Sequence, residues 1–452
     1  MTSPLPVRAG RIALGGFLAG LIVGAFVLYY NQAYSVGFSQ ADEPSHFING
    51  LFVARYITQH FGDNPIAVAT EYYLHYPKIT FGHWPPAFYG LLGVLFLAVP
   101  ASTGLAFAVN FCICAAVGAG VAAFLAKLVS ARLAIIGALL VAISPLVIEA
   151  QSVFLLDQAV AAVSLAAAML WYRFASRPTW PGAFAFCAIA AFAVLVKGTG
   201  WLLIFLPIIH LTMTNQWRAL ASAKIYVAAA CAGAIVVPWY LMTTAIAADG
   251  FNYKPGLGYA GRALQGNALT LLENLGLAGV ALATVGISYE WHSRSKNRER
   301  WSLVCACLSL TLATLILQSL VPADIVARYM APALPGLLVL AIIGIAHIAT
   351  LVQKRSGTAG AALTIASLTL IIAWPGIKHL SESSPKVAFH LDQVAREIGR
   401  SSAAAIWVID GTEGAEGSLV VEAALRDPGL TYYIARSSKL FASSDFMGRR
   451  YQ

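Results

Sequence analysis

Twelve long apolar runs, separated by short polar connections, limit the folds that this chain of 452 residues can adopt. A helix of about 20 apolar residues is long enough to cross a bilayer. Because lipid offers no hydrogen bonds to the backbone, such runs cross as helices. The sequence therefore predicts an all-α polytopic membrane protein. The runs lie near residues 12–34, 86–99, 103–126, 133–149, 158–175, 181–196, 199–213, 222–246, 268–289, 301–321, 331–351 and 358–377.

The composition agrees with a membrane protein and excludes a nucleic-acid partner. Charged residues make up only 11% of the chain, whereas a soluble globular protein has about 25%. The net charge is +9, but the basic residues are dispersed in short loops and do not form one basic stripe. Their expected role is to set the topology, because cytoplasmic loops are enriched in Lys and Arg.

The basic loops also select the number of transmembrane spans. The most basic segment is HSRSKNRER, residues 292–300. All basic loops can be cytoplasmic only if the run 86–99 does not span, and that run is shorter than the required length of about 20 residues. We therefore expect about eleven transmembrane helices in the inner (cytoplasmic) membrane and an interfacial helix over 86–99. The N-terminus is expected in the cytoplasm and the C-terminus on the periplasmic or extracellular side.

The sequence predicts two domains. Residues 1–377 are expected to form the transmembrane domain, with an outer loop over 35–102 that carries juxtamembrane helices. Residues 378–452 contain short strand-like segments, AAIWVID and LTYYIA, around helical ones, which predicts a small extramembrane α/β domain. A unit of this size is marginal for independent folding. We therefore expect it to dock on the outer loops.

Two adjacent carboxylates, Asp42 and Glu43, follow the first apolar run in the segment DEPSHF. Pro44 suits the first turn of a helix, and an acid there can simply cap it. The alternative interpretation is a catalytic carboxylate at the membrane surface. A helix N-terminus favours the charged form of an acid, so Asp42 would be able to accept a proton.

Further charges are expected on the same outer side. Asp157 opens an almost wholly apolar helix, Lys197 follows another span in VKGTG, and Arg328 with Tyr329 precedes a later one. Helix capping, snorkelling to headgroups and interfacial anchoring would each explain one of them. An anionic ligand such as a phosphate would explain both cations together. Two acids and two cations on one face therefore favour chemistry on a lipid-linked phosphate.

The histidines and cysteines do not predict a metal site. His46, His83 and their neighbours match no metal-binding spacing. His83 and Trp84 precede a Pro-Pro step, where Trp is also a common interfacial anchor. The six cysteines lie inside apolar runs and are expected to behave as small buried hydrophobic residues, without disulfides.

The order of these motifs resembles the GT-C membrane glycosyltransferases. It runs D-E-P-S-H-F-x(8)-Y, H-W-P-P-A-F-Y, Asp157, V-K-G-T-G, P-W-Y at 238–240 and R-Y-M-A-P-A-L-P, and it covers roughly residues 10–377. The branch that it resembles contains the bacterial relatives of protein O-mannosyltransferases and the lipid A aminoarabinose transferase. The resemblance implies the GT-C fold, with interfacial helices in the first outer loop.

The resemblance also implies roles for individual residues. The family's proposed base is an acid of the first outer loop, which implies Asp42 with Glu43 beside it, and an acid of the second outer loop implies Asp157. The cations that bind polyprenyl phosphate map onto Lys197 and Arg328. Further candidates for the donor phosphate and for shaping the acceptor site are Arg262, Tyr329, His46, His83, Trp84 and Tyr56.

We therefore expect a glycosyltransferase that moves a hexosyl or pentosyl group from a polyprenyl-phosphate donor at the outer face of the membrane. The acceptor is a lipid, a protein or a polysaccharide. The resemblance implies inversion with Asp42 as general base and no cofactor, although some GT-C enzymes use a divalent metal. The alternative is a transporter or flippase of lipid-linked sugars, which would place charges near the bilayer midplane on broken helices. An assembly protein whose tail binds a partner is a third hypothesis.

Overall fold

The apolar runs fold as helices in the computed structural model, which describes residues 5–33, 37–80, 82–248, 251–386, 389–400 and 406–440. The first helices are α1 (Leu5–Tyr30), α2 (Asp42–Gln59), α3 (Pro65–His75), α4 (Ala87–Ala98), α5 (Thr103–Leu125), α6 (Ala131–Ala142), α7 (Pro145–Ser152) and α8 (Asp157–Ser176). Then follow α9 (Trp180–Val196), α10 (Phe205–Thr214), α11 (Ala223–Ala248), α12 (Leu257–Ser293), α13 (Arg298–Leu320) and α14 (Ala333–Glu382). Short 3₁₀ segments occur at Gly198–Ile204, Trp217–Ala221 and Ala327–Met330.

The number of helices that can cross a membrane differs from the predicted eleven. Among the described residues, seven helices are long and apolar enough, or eight if the bent pair α6 and α7 forms one span. Helix α9 and the segment Gly198–Thr214 are apolar but shorter. The last two predicted spans lie within the single helix α14. The count of eleven therefore stays a prediction, whereas the predicted all-helical, multi-pass class is confirmed.

Glycine produces the breaks and the close contacts within the bundle. Gly357 has a φ of +70°, a left-handed conformation that suits glycine, and it divides α14 between the last two apolar runs. Helices α12 and α14 touch at Gly286 and Gly344. A Cβ atom at Gly286 would lie 2.2 Å from the carbonyl oxygen of Leu340. Small residues are what allow membrane helices to approach this closely.

The first outer loop forms its own helical layer. Helix α4 has 12 residues and is about 18 Å long, which is too short to cross a bilayer. It packs on α2, where a Cβ atom at Gly50 would meet the side chain of Leu92 at 2.6 Å. Buried aromatic residues, including Phe47, Phe52 and Tyr89, form the core of this layer.

The tail contains helix α15 (Leu391–Arg400), strand β1 (Ile406–Ile409), helix α16 (Glu413–Arg426), strand β2 (Tyr433–Arg436) and helix α17 (Ser437–Leu440). The two strands are parallel, as a crossover through α16 requires, and Ile406 lies opposite Tyr433. Helix α14 continues to Glu382, five residues beyond the predicted domain boundary at 377. The final segment SSDFMGRRYQ lies outside the described residues.

The tail packs directly on the first outer loop, as its small size led us to expect. Both contribute to one hydrophobic core, in which Val420 and Val421 of α16 join Phe47 and Tyr76. Polar contacts reinforce the interface. The hydroxyl of Tyr76 donates to the Asp427 carboxylate over 2.8 Å. The tail and the first outer loop therefore form one packed unit.

Candidate active site

Asp42 is the first residue of α2, but it does not cap that helix. The residue before it, Ala41, occupies the N-cap and supplies no side-chain hydrogen bond. The Asp42 carboxylate instead accepts a hydrogen bond of 2.9 Å from Nη2 of Arg328. Capping therefore does not explain this acid. About a third of each side chain stays exposed, 33% for Asp42 and 32% for Arg328, so solutes can reach the pair.

A second ion pair lies beside the first. Asp157 is the first residue of α8, and Lys197 follows the last residue of α9. Their Oδ1 and Nζ atoms are 2.6 Å apart, and both side chains are largely buried. A charge-assisted hydrogen bond of this length is strong where water is largely excluded. The ends of two neighbouring helices thus bring a carboxylate and an ammonium group together.

Arg328 connects the two pairs into a charge network of Asp42, Arg328, Asp157 and Lys197. Its Nε atom lies 3.9 Å from Oδ2 of Asp157. Within the described part of the chain, both atoms are buried and lack a hydrogen-bond partner. Unsatisfied buried polar atoms are costly and mark places where a ligand or water can bind. The network therefore contains two balanced ion pairs joined by a longer contact whose donor and acceptor are not hydrogen-bonded.

The ring of Tyr329 supports the cations of the network. Nζ of Lys197 lies 4.7 Å from the ring centre, and the guanidinium carbon of Arg328 lies 5.8 Å from it. Cation–π contacts of this kind attract a cation to the ring face. The predicted donor-site residues Lys197, Arg328 and Tyr329 are therefore in contact with one another.

The network shifts the ionisation of its exposed members. Burial alone would raise the pKa of Asp42, but His46, Arg328 and Lys197 together lower it below its ordinary value. Burial would lower the pKa of Arg328, but Asp157 and Asp42 raise it. Both groups are therefore charged at neutral pH, and Asp42 is available as a proton acceptor.

Glu43 points away from the charge network. Its side chain is fully buried, and Oε1 accepts hydrogen bonds of 2.9 Å from the backbone N–H groups of Ser39 and Gln40. Oε2 accepts from the N–H of Phe154 at 2.7 Å and from Nζ of Lys386 at 3.3 Å. Because both oxygens are occupied, the geometry argues against the catalytic role that we assigned to Glu43. It acts as a buried anchor between three segments of the chain.

Aromatic residues form a wall beside Asp42. His46 is buried, and its Nδ1 atom lies 2.8 Å from the hydroxyl of Tyr89. The ring of Trp84 lies 4.5 Å from that of His46, and His83 packs edge-on against Trp84. Burial lowers the pKa of His46 to about 3, against the opposing effect of Asp42. His46 is therefore neutral at pH 7, and the wall shapes the space without adding charge.

A pocket of about 160 Å³ opens beside Asp42. Ser45 and Trp84 line it from the first outer loop, and Lys78 lies in its wall. Nζ of Lys78 donates to the carbonyl oxygen of Ala41 over 2.8 Å, and burial lowers the pKa of Lys78 to about 7. The tail completes the lining with Glu413, Arg436 and Lys439. The tail therefore borders the space next to the candidate base.

Two predicted site residues lie elsewhere. Tyr56 is 14 positions beyond Asp42 on α2, or about 21 Å along the helix axis, and its hydroxyl donates to the carbonyl of Asp63. It therefore does not shape the site. Arg262 donates to the carbonyl of Gly258 and lies 5.9 Å from the ring of Tyr253. It takes no part in the described charge network.

Sequence reasoning missed several residues that surround the site. Lys78 and Tyr89 lie in the first outer loop, but neither stood out by spacing. Arg436 and Lys386 belong to segments more than 300 positions from Asp42 along the chain. Arg436 donates to Glu416 at 2.9 Å inside the tail and reaches the wall of the pocket. Only the docking of the tail reveals these contacts.

The chain shows no candidate metal centre in its described part. No group of three or more His, Cys, Asp or Glu side chains is placed there to hold an ion. The expectation that the protein needs no metal remains a prediction.

Comparisons with known proteins agree with this architecture. Residues 85–255 match the family model of dolichyl-phosphate-mannose-protein mannosyltransferases. No curated protein matches the chain in sequence. The match includes Asp157 and Lys197, whereas Asp42 and Arg328 lie outside it.

Two solved structures share the fold. One is ArnT from Cupriavidus metallidurans bound to undecaprenyl phosphate, with a TM-score of 0.57 and 13% identity over 92% of this chain and 88% of that chain. The other is the apo state of the same protein, with a TM-score of 0.55 and 13% identity over 92% and 89% of the two chains. At this identity the likeness shows the fold. Together with the family match, it confirms that this chain resembles the GT-C membrane glycosyltransferases, in the branch of the protein mannosyltransferases and the aminoarabinose transferase.

Proposed function

We propose that the protein transfers a sugar from a polyprenyl-phosphate donor to an acceptor at the outer face of the cytoplasmic membrane. The observation that carries the proposal is the charge network, in which four segments bring two acids and two cations to one place. The family match and the fold of ArnT, a protein bound to undecaprenyl phosphate in one structure, support a lipid phosphate as part of the donor.

Lys197 and Arg328 are proposed to bind the donor phosphate. Both are positioned by acids that neutralise them in the unliganded protein. A phosphate that reaches Arg328 would find a donor, Nε, that has no hydrogen-bond partner in the described structure. Arg can bind phosphate with two parallel hydrogen bonds, and Lys adds a compact charge. These cations would stabilise the negative charge that develops on the phosphate as it leaves.

Asp42 is proposed as the general base. The acceptor oxygen attacks the anomeric carbon and loses its proton to Asp42, while the bond between that carbon and the phosphate oxygen breaks. A single displacement of this kind inverts the anomeric carbon. In the unliganded protein the bond from Arg328 weakens Asp42 as a base. Donor phosphate competes for Arg328 and would therefore strengthen the base when the donor is in place.

The acceptor is proposed to approach through the pocket beside Asp42. The pocket is bordered by the aromatic residue Trp84 and by residues of the tail, so both would shape the choice of acceptor. Neutral His46 supports Trp84 from behind.

The test compares Asp42→Asn with Asp63→Asn in purified protein supplied with a labelled polyprenyl-phosphate sugar and membrane acceptor. Asp63 is an exposed acid of the same outer loop and serves as the matched control. We expect Asp42→Asn to lower transfer by about 10²–10⁴-fold, the usual contribution of a general base, and Asp63→Asn to have no effect. Equal rates in both variants would refute the role of Asp42. Movement of intact donor lipid without cleavage would identify a flippase instead.

A further inference from the structure

A second polar cavity lies at the far end of the bundle from Asp42. It consists of two adjoining pockets of about 640 and about 600 Å³, which share Lys127, Tyr172, Arg173 and Glu299. We call them together the basic groove. Helix α8 connects the two sites, because it begins at Asp157 and carries Arg173 in its last turn. Sixteen residues of helix separate them, or about 24 Å. The groove therefore lies at the opposite membrane face from the charge network.

The basic groove carries an excess of positive charge. A single acid, Glu299, contributes to the described lining, and its Oε1 already accepts a hydrogen bond of 3.0 Å from the buried hydroxyl of Tyr172. One of the cations, Arg300, is paired with the buried Glu290 at 2.6 Å. The cations of the lining are Arg8, Lys127, Arg173, Arg177, Arg298 and Arg300.

The cations repel one another where they meet. Burial lowers the pKa of Lys127, and the neighbouring Arg173 lowers it further, which Glu299 only partly opposes. Nζ of Lys127 also lies 5.5 Å from the centre of the Tyr172 ring, so its position is set by the packing of α8. A bound anion would relieve this repulsion. A topological role for these charges requires only that they lie on one side of the membrane, and it does not require a cavity.

The other half of the groove is apolar and is lined mainly by small residues. Small residues of α1 and of the end of α5 line it, among them Gly10, Ala13 and Ala123, with Leu303 of α13. A Cβ atom at Gly10 would meet no atom within 4 Å, so the space beside α1 is open. A cavity with a cationic end and an apolar side matches an amphiphile that has an anionic head and an acyl chain.

We propose that the basic groove is a binding site for an anionic phospholipid of the cytoplasmic leaflet. The phosphate lies against Lys127 and Arg173, and an acyl chain follows the apolar side formed by α1 and α5. Each of the two pockets, at about 640 and about 600 Å³, lies within the range of about 300–1,000 Å³ that is usual for small-molecule sites. Basic pockets between membrane helices are known to hold anionic headgroups. The proposal is independent of the sugar transfer at the other face.

Native mass spectrometry of the full chain in detergent tests this site with phosphatidylglycerol and phosphatidylcholine of equal chain length. We expect at least tenfold more bound phosphatidylglycerol. Lys127→Gln/Arg173→Gln should reduce it to the level of phosphatidylcholine. The matched control, Lys354→Gln/Arg355→Gln, removes an exposed basic pair outside the groove and should retain the preference. Equal binding of the two lipids, or an equal loss in the control, would overturn the proposal.

Two further measurements separate a lipid from a soluble phosphate and guard against misfolding. Glycerol 1-phosphate at the same concentration should not displace phosphatidylglycerol; displacement would show a site for free phosphate and would refute the lipid. Ala13→Trp leaves every cation in place but fills the apolar side of the groove. It should lower phosphatidylglycerol binding at least fivefold, and unchanged binding would contradict the assignment of the acyl chain.

Discussion

The two ends of the bundle differ in how far their cations are neutralised by neighbouring acids. At the charge network, two cations meet two acids at distances of 2.6 to 3.9 Å. In the basic groove, Glu290 pairs with one of the six cations, Arg300, and the other five face a single acid that is already engaged. A balanced cluster is stable without a ligand and rearranges when a phosphate competes for its cations. An unbalanced cluster attracts an anion from its surroundings. The first arrangement suits a transient substrate, and the second suits a resident lipid.

Replacing Arg328 is expected to have the largest effect on this comparison. Arg328→Gln leaves Asp42 without its partner and removes one of the two proposed phosphate ligands. We expect transfer to fall about 10²–10³-fold, as when one charge-stabilising donor is lost. Lys354→Gln, which removes an exposed cation of α14, should not change the rate in the same assay. A similar fall in both variants would mean that the loss of any positive charge lowers the rate, and that Arg328 has no specific contact with the phosphate.

Removing the anchor below Asp42 is expected to destabilise the protein. Glu43→Gln leaves Lys386 buried without its counter-charge, and breaking a buried pair on one side costs about 3–5 kcal/mol. The midpoint of thermal unfolding in detergent should fall clearly. Glu382→Gln, in an exposed pair with Lys378, should leave it unchanged. An unchanged midpoint for Glu43→Gln would show that its hydrogen bonds, and not its charge, hold the three segments.

The pH dependence of transfer tests whether donor binding frees the base. The pKa of Asp42 is lowered in the unliganded protein, so kcat/KM should fall only when pH drops below the ordinary carboxyl value of about 3.9. The profile of kcat reports the donor complex. Because donor phosphate draws Arg328 away from Asp42, the pKa of Asp42 should rise in the donor complex. The acid limb of the kcat profile should therefore lie at higher pH than that of kcat/KM. Coincident limbs for kcat and kcat/KM would mean that Asp42 keeps its bond to Arg328 throughout.

The smallest expected effect concerns the acceptor pocket. Trp84→Ala removes a ring that lines the space beside Asp42 and packs on His46. We expect KM for the acceptor to rise about tenfold, as when one stacking contact of about 1.4 kcal/mol is lost. KM for the donor should stay the same, because Trp84 is not part of either of the described ion pairs. A rise in the donor KM alone would place the pocket on the donor side.

Apolar run lengths and basic loops predicted the class of the protein and most of its helices. They could not show that residues 331–351 and 358–377 fold as one helix, because a glycine kink at Gly357 and a turn look alike in sequence. The order of motifs likewise identified Asp42, Asp157, Lys197 and Arg328, which the structure brings together. Charge type and position at helix ends selected these four, and their roles in the reaction stay predictions.

The structure departs from the predicted arrangement at residues whose position depends on side-chain direction or on distant partners. Glu43 and Asp42 are adjacent, but successive helix positions point about 100° apart, and one side chain reaches the network while the other is buried. Tyr56 matched a spacing in the resembling family, yet it lies about 21 Å along α2 from Asp42. The tail's contribution to the pocket depends on docking across more than 300 residues, which no local pattern records.

The contact between Glu43 and Lys386 has a consequence for the timing of biosynthesis. The two residues are 343 positions apart, so the ribosome delivers the first long before the second. Until the later segment is in place, Glu43 lacks its counter-charge, and the start of α2 is held only by the other hydrogen bonds of that carboxylate. Asp42 is the neighbouring residue. All four members of the charge network are therefore synthesised before this anchor is complete, and a chain interrupted before Lys386 would contain the network without the buried ion pair next to it.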